Sequence, residues 1–387
     1  MSNNKKRKTS KVVFEYTGIE EKDDVPNDVT IIQFHSSVTE VRENIFQECR
    51  QLKKVILNEG LKKIGNSAFY RCRALEHITL PSTVTEIDDY SFKECSNLSE
   101  MVLNEGLLRI GQGSFHDCSF LKLVKLPSTI TEISDAAFCA CSRLETVILN
   151  EGLEKIEDSV FASCTSLKRI TLPHTVKVIG ECTFYNCRNL VEIDLHEGIQ
   201  KIGTRAFASC SSLERMTFPR TVTEISVNTF YNCRNLRVVG LHEGIQKIGS
   251  LAFHACSVER FEFPNLSYRL NNIIEDGKYD DVENKIDNIL GTIVQRRGSE
   301  LFIPASFPSF GIIKEGGNWK IVKEVLDQIE RLITYYEVKE ATTLLELAMW
   351  KSKIDQAEEN LINRDAHRID IPGPVKNNIL QYLNFRV

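Results

Sequence analysis

Apolar and polar positions along most of this chain return in the same order every 23 residues. A representative unit, LNEGLEKIEDSVFASCTSLKRIT from Leu149, places its apolar residues at Leu149, Leu153, Ile156, Phe161, Cys164, Leu167 and Ile170. The stretches Leu153 to Ile156 and Leu167 to Leu172 carry the two-residue alternation of short strands. Phe161 and Cys164 stand three apart, as on one helical turn. Each unit is therefore expected to fold as strand, turn, strand and short helix. A unit this small cannot bury its apolar face alone, so the pattern predicts coils stacked into a solenoid, in which each coil is covered by its neighbours.

The register holds over ten units. Phenylalanine recurs at Phe46, Phe69, Phe92, Phe115, Phe138, Phe161, Phe184, Phe207, Phe230 and Phe253, and a cysteine follows three residues after each, from Cys49 to Cys256. Glycine follows the second strand at Gly65, Gly111, Gly180, Gly203 and Gly249, where a backbone turn away from the sheet is expected. The turn into the second strand alternates between two forms. A glycine form stands at Asn58 to Gly60, Asn104 to Gly106, Asn150 to Gly152, His196 to Gly198 and His242 to Gly244, and the other form includes Pro81, Pro127, Pro173 and Pro219. Glycine permits positive φ and proline fixes its own φ, so neighbouring coils are expected to use different turns, and the repeating unit becomes a pair of coils. The segments Phe184 to Gly203 and Phe230 to Gly249 are nearly identical, which indicates duplication of one such pair.

One outward position of the second strand reads Glu40, Lys63, Glu86, Arg109, Glu132, Lys155, Val178, Lys201, Glu224, Lys247. Stacking at about 4.8 Å per coil would set each charge between opposite ones and oppose register slips.

LPSTVTEIDDYSFKECSNLSEMVL, from Leu80 to Leu103, resembles the BspA-like class of leucine-rich repeat, whose pattern runs LPxxVxxIGxxAFxxCxxLxxIx. The resemblance extends from Phe34 to about Pro264. Members of that class occur on microbial surfaces and in large intracellular sets in protists and algae, and the resemblance implies macromolecular binding without catalysis. Further on, RRGSELF at Arg296 to Phe302 and WKSKID at Trp350 to Asp355 resemble a region that accompanies such repeats in diatom proteins and has no assigned activity.

The expected fold is thus a mostly β leucine-rich-repeat solenoid followed by a small α-helical domain. Residues 1–11 read as a disordered basic tail, 12–33 as an N-terminal cap, 34–264 as the ten-coil solenoid and 265–387 as the helical domain. Within the last, helices are expected over Asp281 to Val294, Trp319 to Tyr336 and Thr343 to Ile354, with a long loop from Phe302 to Gly317 and a final helix from Pro374 through Leu383.

Composition narrows the function. A net charge of −5 over 387 residues gives no general attraction to nucleic acid. The opening MSNNKKRKTSK has no apolar stretch behind it, and no run approaches the ~20 apolar residues of a membrane span, so neither export nor a membrane is expected. The cytoplasm is the expected compartment, with Lys5, Lys6, Arg7 and Lys8 offering a route to the nucleus. Ten of the twelve cysteines hold one repeat position and are read as reduced core residues. Cys139 and Cys182 form no metal-ligand spacing with the scattered histidines, so no metal or cofactor is expected. His196 and His242 are explained by duplication, Trp319 and Trp350 by helix cores, and the glycine clusters lack the lysine of a phosphate loop.

The resulting expectation is a non-catalytic scaffold that binds a protein partner. Two alternatives are a targeting arm for a regulatory or enzymatic C-terminal domain, and cell-surface adhesion. The candidate contacts lie on the outward first-strand face, Lys54, His77, Glu100, Arg169, Glu192 and Arg215, joined by Tyr185 and Tyr231, whose preceding phenylalanines take the core positions.

Overall fold

A computed structural model of the protein describes residues 11–275, 285, 294–297, 300–304, 322–337, 348 and 351. The basic run at Lys5 to Lys8, Trp319, Trp350 and the helix expected over 374–383 lie outside the described residues, as does most of 281–294 and of 343–354.

In most coils a three-residue first strand buries only its middle residue, Val238–Gly240 burying Gly240 as well, and a two-residue second strand buries its last. Equivalent strands pair in parallel with no slip. Glu40 stands against Lys63, Lys63 against Glu86 and Glu86 against Arg109, then Glu132 against Lys155 and Glu224 against Lys247. The charged row has the expected backbone register, but its ion pairs shift forward. Lys63 Nζ lies 3.4 Å from Glu86 and 3.1 Å from Asp88, while Arg109 holds Asp88 and Asp89. Asp88 is thus shared between two coils. Burial works against its charge, yet the Arg109 and Lys63 hydrogen bonds hold its carboxyl below the usual range.

The third leg of the coil is not helical. In the Leu149 unit, Ser159 and Ser163 have φ of 57° and 60°, left-handed values that no helix accommodates. They turn alternate N–H groups toward the next coil: Ser159, Phe161 and Ser163 donate to the carbonyls of Glu181, Thr183 and Tyr185 at 2.7, 2.9 and 2.7 Å. Local bonds alternate with these, from Ala162 N to Ser159 O at 3.1 Å and from Cys164 N to Phe161 O at 3.2 Å. The three-residue spacing that suggested a helical turn belongs to a chain of tight turns, and backbone hydrogen bonds run between coils on this edge as well.

The phenylalanines sit on this leg and form one column. Phe69 and Phe92 stack at 5.3 Å and 5°, Phe138 and Phe161 at 5.9 Å and 9°, and all ten rings are fully buried. At the N-terminal end the column is closed by Tyr16, edge-on to Phe34 and Phe46 at 5.0 and 5.1 Å. Tyr16 belongs to the strand Val13–Tyr16, which pairs in parallel with Ile31–Phe34. From Cys72 on, every ladder thiol donates to the carbonyl of the phenylalanine 26 residues before it, Cys164 to Phe138 at 3.3 Å for instance. The cysteines are therefore polar ties as well as small apolar fillers.

The glycines work by closeness, not by turning. Those after the second strand have no positive φ; a Cβ at Gly203 would come within 2.5 Å of Glu181 N, and one at Gly111 within 2.6 Å of Asp89 N. The glycine-form turn is likewise closed without a left-handed glycine. Asn150 accepts from Gly152 N at 2.7 Å and donates to the carbonyls of Pro127 and Ile130, both at 2.9 Å. His242 reproduces this geometry, its Nδ1 accepting from Gly244 N at 3.0 Å and its Nε2 lying 2.8 Å from Val222 O.

The pairing of coils is visible in the first-strand sheet. His77–Thr79 pairs with Glu100–Val102, Leu123–Lys125 with Thr146–Ile148, Arg169–Thr171 with Glu192–Asp194, and Arg215–Thr217 with Val238–Gly240, in each case a proline coil with the glycine coil after it. Strand pairing is interrupted after Glu100–Val102, Thr146–Ile148 and Glu192–Asp194. Side chains bridge those breaks. Thr175 Oγ1 donates to Leu153 O at 2.7 Å, Ser128 N to Glu105 at 2.9 Å and Arg220 N to Glu197 at 2.9 Å.

At the C-terminal end the strand Arg260–Glu262 still pairs in parallel with Val238–Gly240, but its other edge receives Glu300–Pro304 in antiparallel sense, followed by Gln295–Arg297. The sequence pattern predicts a loop from Phe302 and no strand before it. Leu301 and Ile303 instead alternate inward, 1% and 0% exposed, and cover the last coil's open edge. Helix α1 (Pro264–Glu275) and helix α2 (322–337) complete the described part. The buried stripe of α2 is Val322, Leu326, Ile329, Ile333 and Tyr336, with Val325 and Leu332 partly covered beside it. Arg269 of α1 reaches Glu337 at 2.7 Å and Glu330 at 3.6 Å, and Lys323 Nζ donates to Glu243 O in the last glycine-form turn at 3.1 Å.

Candidate functional site

Alternation along a three-residue strand leaves its first and third residues outside. Lys54, His77 and Glu100 are therefore neighbours on successive strands, and His77 Nδ1 lies 3.4 Å from Glu100. Arg169 and Glu192 are register partners 3.2 Å apart. Arg215 is drawn two coils along, to Glu262 at 2.5 Å. The face thus carries two charged groups, and between them three exposed apolar side chains stand beside Lys125 and Thr146. Val102, Leu123 and Ile148 are 60, 48 and 46% exposed on three consecutive strands. Sequence reasoning followed the first strand position and so missed Val102 and Ile148; the third position of the same strands would have shown them.

Tyr185 and Tyr231 lie on a different edge, the turn leg. Together with Cys182, Arg205, Ala208, Ser209 and Asn228 they line a depression of about 500 Å³. The tyrosines are 41 and 40% exposed, above fully buried Phe184 and Phe230.

On the same leg His116 and Cys139 occupy equivalent positions in adjacent coils, with Asp117 beside them. No hydrogen bond joins imidazole to thiol. Burial pushes the Cys139 thiol up, with Asp117 adding to it, and burial lowers His116. This is the opposite of an activated nucleophile. The ladder thiols from Cys72 to Cys233 are more suppressed still, burial pushing Cys187 up to about 12. All twelve cysteines are free, and among the described residues no His, Cys, Asp and Glu cluster could hold a metal. Brief treatment of native protein with iodoacetamide at neutral pH is expected to modify Cys139 and Cys182 while Cys72 through Cys233 stay unlabelled. Peptide mass spectrometry reads the result, and earlier labelling of the ladder would contradict its burial.

Short parallel strands on 23-residue coils, each coil closed by an inward leucine, phenylalanine and cysteine, define a leucine-rich-repeat solenoid. The family model described as BspA type leucine rich repeat region, in six copies, matches residues 26–145 and 154–274, more than half of the chain, and the chain belongs to that family. The family is generally non-enzymatic and presents repeat surfaces for interaction. Among solved structures the chain is similar to a leucine-rich repeat protein from Bacteroides ovatus, at 26% identity over 61% of this chain and 76% of that one, TM-score 0.40. It is also similar to the leucine-rich repeat protein of T. pallidum, at 29% identity over 48% and 78%, TM-score 0.37. A leucine-rich cell surface protein from Faecalibacterium prausnitzii matches at 26% identity over 59% and 77%, TM-score 0.37. No curated protein matches. Among the described residues no helix is long and apolar enough to cross a membrane.

Proposed function

We propose that the protein is a non-catalytic scaffold that captures a protein partner on its first-strand face. The observation that carries this reading is the exposed trio Val102, Leu123 and Ile148, rimmed by His77 and Glu100 on one side and Arg169 and Glu192 on the other. An apolar centre with a mixed polar rim is the composition of a specific protein interface. Nucleic acid fits poorly, because acidic and basic residues alternate along the face and cancel the field that a phosphate backbone requires. A reducing compartment, the cytoplasm or the nucleus, suits twelve free cysteines.

The test is affinity capture from native lysate with the full chain as bait, beside Leu123→Glu and Ile148→Glu. Both side chains are exposed, so the variants are expected to melt with the wild type while depleting a reproducible set of bound proteins about tenfold or more. Equal recovery on all three baits would sink the reading.

A further inference from the structure

The first-strand face changes character at its C-terminal end. Its third outward position holds Thr171, Asp194 and Thr217 on successive strands, and then Gly240. No side chain stands at that position between Arg215 and Glu262, and Arg215 Nη2 donates to Glu262 Oε2 at 2.5 Å across the intervening strand. Arg260, on the same strand as Glu262, donates from Nε to Oε1 at 2.6 Å. One carboxylate thus holds two guanidiniums side by side. Each spends a single N–H on it, and a guanidinium has several more to offer another acceptor.

This pair borders a cleft of about 550 Å³. Across it lie Arg297 and Glu300, register partners on the two strands that cap the last coil. Both are exposed, and neither forms a side-chain hydrogen bond or ion pair among the described residues. The wall is fixed where Leu301 N donates to Ser267 Oγ of α1 at 2.9 Å. Arg297, Glu300 and Leu301 belong to RRGSELF, a segment that takes no part in the apolar centre of the face.

Three guanidiniums therefore meet two carboxylates around an open space, one carboxylate shared and the other unpaired. A carboxylate ligand would bring two oxygens to these donors. A phosphate monoester brings three oxygens and a charge of about −2, which planar arginine forks match better.

We propose that Arg215, Arg260 and Arg297 form a receptor for a phosphate monoester, carried on a phosphorylated side chain of the protein partner. The phosphate enters between the Arg215–Arg260 pair, held in place by Glu262, and Arg297 opposite, while Glu300 opposes it and lowers the affinity. A nucleic acid strand needs a run of cations along its backbone, and acidic Glu192 and Asp194 stand on the strand before Arg215. The inference deepens the protein-binding reading and rests on it, because Arg215 shares the face of Leu123 and Ile148, three coils beyond Ile148.

Fluorescence anisotropy with the full chain tests it, using a labelled peptide pool with a central phosphoserine and random flanks, the same pool with serine, and unlabelled inorganic phosphate as competitor. The phosphorylated pool is expected to bind about tenfold or more tightly than the serine pool, and inorganic phosphate to displace it only in large excess. Arg297→Gln breaks no bond in the described fold and is expected to weaken binding several-fold at an unchanged melting temperature. Arg215→Gln is expected to weaken it about tenfold. Glu300→Gln removes the opposing charge and is expected to tighten binding several-fold, whereas Glu151→Gln, the same change of charge on a distant turn, leaves it unaltered. Leu123→Glu also leaves it unaltered while depleting partners captured from lysate, so a failure of the cleft and a failure of the apolar centre are read separately. Equal binding of the two pools, full binding by a folded variant carrying both Arg215→Gln and Arg297→Gln, an equal gain from Glu151→Gln, or displacement by inorganic phosphate at the pool's own concentration would each overturn the proposal.

Discussion

Truncating Phe161 to alanine is expected to lower the stability of the chain by about 3–5 kcal/mol. The ring is fully buried between Phe138 and Phe184, with centroids 5.9 and 5.7 Å away. Those neighbours cannot relax into the vacated space. The backbone on both sides is pinned from coil to coil, Phe138 N to Val160 O at 3.0 Å and Phe184 N to Ala206 O at 2.8 Å. A solenoid is held together only by contacts between neighbours, so a weakened interface in its middle also uncouples the coils on either side. Urea denaturation is expected to show a lower midpoint with a broadened or split transition. A transition indistinguishable from wild type would refute the assignment of this ring to the core column.

Removing one coil, Leu80 to Val102, is expected to harm the chain more than removing two, Leu80 to Lys125. The single deletion takes out Glu86, Asp88 and Asp89 together and leaves Lys63 facing Arg109. It also sets two glycine-form turns side by side, so that Asn104 loses the Pro81 and Val84 carbonyls, to which it donates at 2.9 and 3.0 Å. The double deletion brings Glu132 beside Lys63 and a proline coil after a glycine coil, which restores both patterns. Lost pairs and unsatisfied turn groups together give a difference of roughly 2–4 kcal/mol in favour of the shorter chain. Thermal melts of the two deletions decide the matter, and equal loss of stability per residue removed would dismiss the paired unit.

The solenoid was legible because Phe and Cys at a fixed interval admit few alternatives, and the alternation of Asn-Glu-Gly with proline turns already marked the two-coil period that the sheet breaks at Val102, Ile148 and Asp194 display. Other features were hidden by ambiguity in the same signals. Three-residue spacing is common to a helical turn and to consecutive tight turns, and serine at positions 159 and 163 gives no sign of left-handed φ. Glycine after the second strand suggests a turn from sequence, while the physical demand is the approach of the neighbouring coil's backbone. The strand Glu300–Pro304 is short, and its partner Arg260–Glu262 lies forty residues earlier in the chain, so local periodicity carried little of it. Of the candidate sites, Tyr185 and Tyr231 could be found as exposed aromatics, but the depression they share emerges only when the position is followed across adjacent coils.

The change of strand direction at the last coil bears on self-assembly. A stack of parallel strands is an unfinished polymer: the outer edge of Arg260–Glu262 repeats the template on which each earlier coil was laid, and another copy of the chain could add there, head to tail, without limit. The reversed strand Glu300–Pro304 occupies that edge instead. Beyond it Gln295–Arg297 presents three residues, two of them arginines, too short and too charged to seed further growth. On this row of strands the template at the C-terminal end is thereby already taken by the chain itself.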